Sequence, residues 1–229
     1  MKKKLILFLI FAVSLFGGCE RQDSTTSDVS VVESQDIADN SVSEIPDDVR
    51  QKLQAALDVD PITIPAEEWT AETLCQAIYI NGEPLSVPCT LHDLGVGFAI
   101  QETEEHPLSI NDSTHRASAS ITYYGNYIGG VVVTDCENKE DFYDAPICKL
   151  VFSFEDNLEM DDIPISLNGL GIHATYKAQA EHLAFMDLYD TDEATSYYRY
   201  TKKIDDIEIK CTYMDDMLKI VTIGFQNEK

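Results

Sequence analysis

Three alternating stretches near the end of the chain, "TSYYRYTKK", "IEIKCTYM" and "LKIVTIGF", are joined by connections that contain Asp205-Asp206 and Asp215-Asp216. Alternation of Ile, Val and Tyr with polar residues is the two-residue period of a strand with one buried face. Links this short leave no room for a crossover, so these stretches must lie antiparallel. Earlier segments extend the pattern. "ASASITYY" and "YIGGVVVTD" flank Gly125-Asn126, a hairpin turn signal, and "APICKLVFSFE" alternates Ile147, Lys149, Val151 and Ser153. "DIPISL" adds a shorter extended piece.

Helices are fewer. Residues 46–57 start with Pro46, Asp47 and Asp48, which suit a first helical turn, and carry Val49, Leu53 and Leu57 on one stripe. "PAEEWTAETLCQAI" reads as a second helix with Trp69, Thr73 and Ala77 aligned. "TLHDLG" reads as one short turn, with Thr90 as cap, Asp93 reaching back and Gly95 ending it. Thr175 caps a further helix bearing Tyr176, Ala180 and Leu183. The expected class is α+β, with helices packed on an antiparallel sheet. Its two halves echo each other: each has an Asn-Gly pair (Asn81-Gly82, Asn168-Gly169), a Thr-capped helix and then strands. The expected domains are therefore related lobes, 45–156 and 157–229, the second a helix plus three antiparallel strands.

What precedes residue 45 is of another kind. Lys2, Lys3 and Lys4 lead an apolar run from Leu5 to Phe16, then Gly17, Gly18 and Cys19. The run is shorter than the roughly 20 residues that span a bilayer. Its layout is that of a cleaved export signal over residues 1–18. Small residues directly before a cysteine resemble the lipobox of bacterial lipoproteins, with Phe16 where that family usually has Leu. The resemblance implies diacylglyceryl attachment to Cys19 and residence on the extracytoplasmic face of the cell membrane. Two acyl chains on one residue hold a protein stably where one does not. Residues 19–44 are then the lipidated cysteine and a Ser-, Thr- and Asp-rich linker without aromatic residues. Such a composition cannot offset its chain entropy, so a disordered tether reaching roughly 25–30 Å is expected. The body of about 185 residues beyond it is long enough to bury about 70% of its unfolded surface.

Charge narrows the partners. Without the three leader lysines, the 16 Lys and Arg fall to 13 against 41 Asp and Glu, a balance of −28. Nucleic acid, whose phosphates demand basic residues, is excluded as a partner, and peripheral docking on anionic lipid is disfavoured.

A second resemblance lies in "IYINGEPLSVPCTLHDLG", "ISLNGLGIHATYKAQAEHL" and "YYRYTKKIDDIEIKCTYMDDMLKIVTI". These resemble a group of uncharacterised small lipoproteins of Gram-positive gut bacteria. The second half is also similar to the small outer-membrane assembly lipoproteins and to the β-lactamase-inhibitor-protein fold. The resemblance implies a non-enzymatic surface module and carries over no catalytic residue.

The residues themselves leave alternatives open. Beyond Cys19 stand Cys75, Cys89, Cys136, Cys148 and Cys211, an odd number, so at least one thiol is unpaired. Cys136 and Cys148 bracket an acidic loop and are the candidate disulfide. Cys75 and Cys211 fit buried small hydrophobes. Cys89-x-x-His92 has a metal-like spacing without a second pair, and no metal or cofactor is expected. Asp187, Asp190, Asp192 and Glu193 offer oxygen ligands, but not in the order of a calcium loop. The candidate binding surface is aromatic: Tyr123, Tyr124, Tyr127, Tyr197, Tyr198 and Tyr200, since exposed tyrosines on a sheet suit partner binding. The leading expectation is a non-catalytic module for protein, peptide or glycan. Its rivals are an exported hydrolase using carboxylates or a Cys/His pair, and a structural envelope component.

Overall fold

A computed structural model describes residues 44–104, 106–153, 162–172, 174–175, 178 and 181–225. The leader, Cys19, the tether up to residue 43 and the 156/157 boundary lie outside them, as do Tyr176 and Ala180 of the Thr175 helix. No helix among the described residues is long and apolar enough to cross a membrane.

The chain is a sheet-rich α+β protein. Strands β1 (Ile78–Ile80), β2 (Glu83–Pro84), β8 (Ile165–Leu167) and β9 (Leu170–Gly171) form a small sheet in the order β2-β1-β8-β9. The large sheet has nine strands. It takes in β3 (Phe98–Gln101), β4 (Ser109–Asn111), β5 (Arg116–Tyr123), β6 (Asn126–Thr134) and β7 (Ile147–Ser153) from the first half. The second half adds β10 (Asp187–Asp192), β11 (Tyr197–Ile204), β12 (Ile207–Met214) and β13 (Met217–Phe225). Its order is β10-β11-β12-β13-β7-β6-β5-β3, with β4 also on β5. Every pairing is antiparallel.

Both sheets read alike from either end. In the small sheet, β1 meets β8 with Tyr79 opposite Ser166. Each strand then turns through Asn-Gly, with φ of 55° and 80° at Asn81-Gly82 and 51° and 79° at Asn168-Gly169. Left-handed backbone at both turn positions is what Asn and Gly tolerate and what the strand twist requires. In the large sheet, β7 meets β13 at the centre, and each is followed outward by its own meander. Even the irregularities repeat. Cys148 bulges from β7 between the pairs Val133–Ile147 and Val132–Lys149, and Lys219 bulges from β13 between Tyr213–Leu218 and Thr212–Ile220. The echo seen in the sequence is thus a repeat of topology. The two halves share both sheets and one core, and are not separate bodies.

The core-facing residues of the large sheet include Tyr123, Val131, Leu150, Phe152, Val221 and Tyr213, all at most 1% exposed. They join one buried cluster with Ile78 and Leu167 of the small sheet and with the buried residues of the helices. Helix α1 (Asp47–Leu57) starts behind Pro46 as expected and buries Leu53 and Ala56. The second helix starts later than the sequence pattern indicates. Residues 66–68 make a 3-10 turn, Trp69 is extended, and α2 (Ala71–Ala77) begins at Thr70, whose side chain accepts from Thr73 N–H. The break frees Trp69 to stack on Phe185 at 3.7 Å between centroids, a contact worth about 0.5–1.5 kcal/mol beyond burial. Thr90 and Asp93 form the expected reciprocal cap, Thr90 N–H donating to Asp93 Oδ2 at 2.8 Å. The hairpin turn falls on Tyr124-Gly125, with φ of 47° and 83°, one residue before the expected Gly125-Asn126.

Each Asn-Gly turn also anchors a neighbouring segment. Asn81 accepts from Tyr123 O–H at 2.6 Å and donates to Val96 O. Asn168, 2% exposed, accepts from Ile62 N–H and donates to Ile62 O and His182 O. Asn168→Ala removes these bonds, leaves buried groups unpaired and sets alanine, which tolerates left-handed backbone less well than asparagine, at a φ of 51°. It should destabilise the fold by about 3 kcal/mol in urea unfolding, and Asn168→Gly, which relieves the backbone alone, by about 1 kcal/mol less. Equal losses would show that the side-chain bonds alone matter.

Candidate binding cleft

Strand alternation gives the large sheet a second face, opposite the core. Two cross-strand rows run over its centre. One is Val132, Lys149, Gly224 and Glu208; the next is Gly130, Val151, Thr222 and Lys210. Val132, Lys149, Gly224, Glu208, Thr222 and Lys210 of these rows, with Arg116 and Thr134 of the neighbouring hairpin, line a cleft of about 650 Å³, and Gly130 and Val151 lie beside it in the second row. We call this the open face.

Its charge is opposite to that of the chain. On the open side of β3 to β7, β12 and β13, Glu208 is the one carboxylate among the described residues, in a chain of net charge −25. Lys210 pairs with it at 2.8 Å. Arg116 and Lys149 make no ion pair among the described residues and are exposed. Both stand near Cys148, whose thiol burial pushes up while Arg116 and, more weakly, Lys149 draw it back. Acidic side chains return at the edge strand β10, with Asp187, Asp190 and Asp192.

Gly224 shapes the floor. A glycine inside a strand costs about 0.5–1 kcal/mol relative to alanine. The backbone does not call for one here: a Cβ on Gly224 would meet only Glu208, at 3.9 Å, an ordinary contact distance. The missing side chain leaves space between Lys149 and Glu208, its cross-strand neighbours.

The six tyrosines do not form one surface. Tyr123 is fully buried on the core side, its ring 4.9 Å from that of Tyr124. Tyr198 and Tyr200 also pack against the core, and Tyr124 occupies the hairpin turn. Only Tyr127, 48% exposed, and Tyr197 fall on the open side. They sit on β6 and β11, with β7, β13 and β12 between them.

The five cysteines among the described residues carry free thiols. The expected Cys136–Cys148 disulfide is not formed. Cys136 turns into the core, its thiol donating to Asn138 O, whereas the bulge sends Cys148 to the opposite side of the sheet, into the cleft. Cys89 is also in the core, its thiol pushed up to about 12 by burial, while His92 faces outward on Asp144 at 2.8 Å. That spacing therefore does not converge. No group of metal-holding side chains occurs among the described residues.

The chain matches no family model, no curated protein and no solved structure.

The cleft residues went unread in the sequence because net charge hid them. One usable signal was the Gly inside "LKIVTIGF", at a strand position where neither turn nor cap explains it. Placement of the thiols has a direct check. With the full chain native at pH 8, a thiol reagent should modify Cys75 and Cys148, which are half-buried. Cys89, Cys136 and Cys211 should react only after unfolding. Burial raises the pKa of Cys75 and Cys148, so their rates should climb steeply above pH 8 as the thiolate forms. Recovery of a joined Cys136–Cys148 peptide by mass spectrometry would contradict the geometry.

Proposed function

We propose that this chain is a lipid-anchored protein of the extracytoplasmic membrane face that binds a protein, peptide or glycan without catalysis. Cys19 holds it to the membrane, residues 20–44 are its tether, and the body packs helices against its antiparallel sheet, its two halves related by duplication. Membership of the small Gram-positive lipoprotein group belongs to the same proposal. The observation that supports binding is the open face: a cleft with unpaired cations and an uncrowded floor on a chain otherwise dominated by carboxylates. A concave site with charge opposite to its surroundings concentrates a complementary partner.

The anchor and the cleft are tested separately. Cys19→Ala should release the chain from the membrane fraction or halt its processing; unchanged retention and processing would exclude lipidation. For the cleft, a photo-crosslinking residue placed at Val151 in the full chain on intact cells should capture a discrete partner. The same group at Gln51, exposed on α1, should not. Identical products from the two positions, or none from Val151, would remove the support for a binding face.

A further inference from the structure

We propose that the occupant of the cleft is an extended acidic segment of a partner protein. It would lie across the β7–β13 centre with carboxylates on Arg116 and Lys149 and a side chain seated over Gly224. This deepens the binding function proposed above and rests on it.

Three features of the cleft define this chemistry. First, Arg116 and Lys149 are available without breaking any ion pair among the described residues, whereas Lys210 is held by Glu208. Carboxylates are the groups that satisfy such cations with charge-assisted hydrogen bonds. Second, the rows between the cations are not polar throughout. Val132 and Val151 stand beside Lys149 and Gly130, and the gap at Gly224 has the size of a missing side chain. A segment whose cleft-facing residues, every second one along an extended chain, are acidic and apolar in turn meets both demands, because residues two apart share a face. Third, the surroundings select against a long polyanion. Glu208 sits in the cleft itself, and past Lys203 and Arg199 on β11 the face ends on Asp187, Asp190 and Asp192 of the edge strand β10. A polyphosphate or an acidic polysaccharide continuing past the cleft would run over those carboxylates. A short acidic stretch within a protein would not.

The Gly224 gap makes the proposal separable from fold stability. A β-branched residue suits a strand, so Gly224→Val should fill the cleft while leaving the melting temperature unchanged or higher. Lys149→Glu, at an exposed position, reverses a recognition charge without touching the core.

The test uses the full chain in mild detergent and a fluorescein-labelled peptide repeating Glu-Ser-Val-Ser, which places Glu and Val in turn on one face of an extended chain, read by fluorescence anisotropy. The control peptide carries Lys at every acidic position. The acidic peptide should bind and the basic one should not. Affinity should fall as salt rises from about 0.1 M to about 1 M, where the screening length shrinks from roughly 10 Å to 3 Å. Lys149→Glu and Gly224→Val should each weaken binding at least about tenfold, the latter at an undiminished melting temperature. Should Gly224→Val melt lower, Lys149→Glu decides the outcome. No binding of the acidic peptide, tighter binding of the basic one, or binding that neither variant weakens overturns the proposal. Inorganic polyphosphate competing with equal affinity and the same response to the variants overturns it in favour of a polyanion site. Capture at Val151 on cells without acidic-peptide binding refutes the acidic occupant alone; failure of both refutes the binding function as well.

Discussion

The ladder between β7 and β13 is the constraint on which the rest of this structure depends. Val151 opposite Thr222 joins the middle of the chain to its end. Without that pairing, β7 and β13 would each be a hydrophobic edge strand, open to any other chain. With it, the two meanders become one continuous sheet, and residues far apart in sequence close a single core. Long-range pairing of this kind costs loop entropy before it returns contact energy, so the local hairpins are the natural early structures and the central ladder the slow one. Both halves bring a bulge to this region, at Cys148 and Lys219, immediately before the stretches that pair.

Those bulges also decide what the sheet presents. A regular strand would put Ile147 and Lys149 on the same side, which is how their alternation reads in the sequence. The extra residue at Cys148 flips the phase, so Ile147 enters the core at 1% exposed and Lys149 faces the cleft. The same shift on β13 lets Leu218 and Val221, three residues apart, both point inward. Local chemistry within one strand thus produced the cation of the candidate site.

Much of the framework was legible because its causes are local. The three closing strands and their Asp-Asp turns follow from period and turn chemistry: Asp205, Asp215 and Asp216 adopt φ of 49°, 51° and 63°, which short polar side chains tolerate. Helix α1 and the Thr90–Asp93 cap were equally readable. What went astray depended on partners elsewhere in the chain. The second helix broke where Trp69 found Phe185. Tyr123 was drawn inward, with Asn81 accepting from its hydroxyl. The cleft was beyond reach, since it exists only once Lys149 stands beside Gly224 and Gly224 beside Glu208, contacts that no window of sequence contains.

Net charge was the least informative number about the site, and the reason is physical. Carboxylates spread over a surface repel one another least when dispersed, and they keep the chain soluble wherever they stand. A cleft lined by one of them is therefore not an average outcome of an acidic composition. In that cleft the cations stand at Arg116, Lys149 and Lys210, and the glycine that leaves room among them carries an energetic cost that neither backbone nor packing explains. Strand stability favours a side chain at position 224, and so does solubility, which a carboxylate there would serve. Two independent pressures thus point away from the residue observed, and the occupant proposed for the cleft would supply a third that favours it.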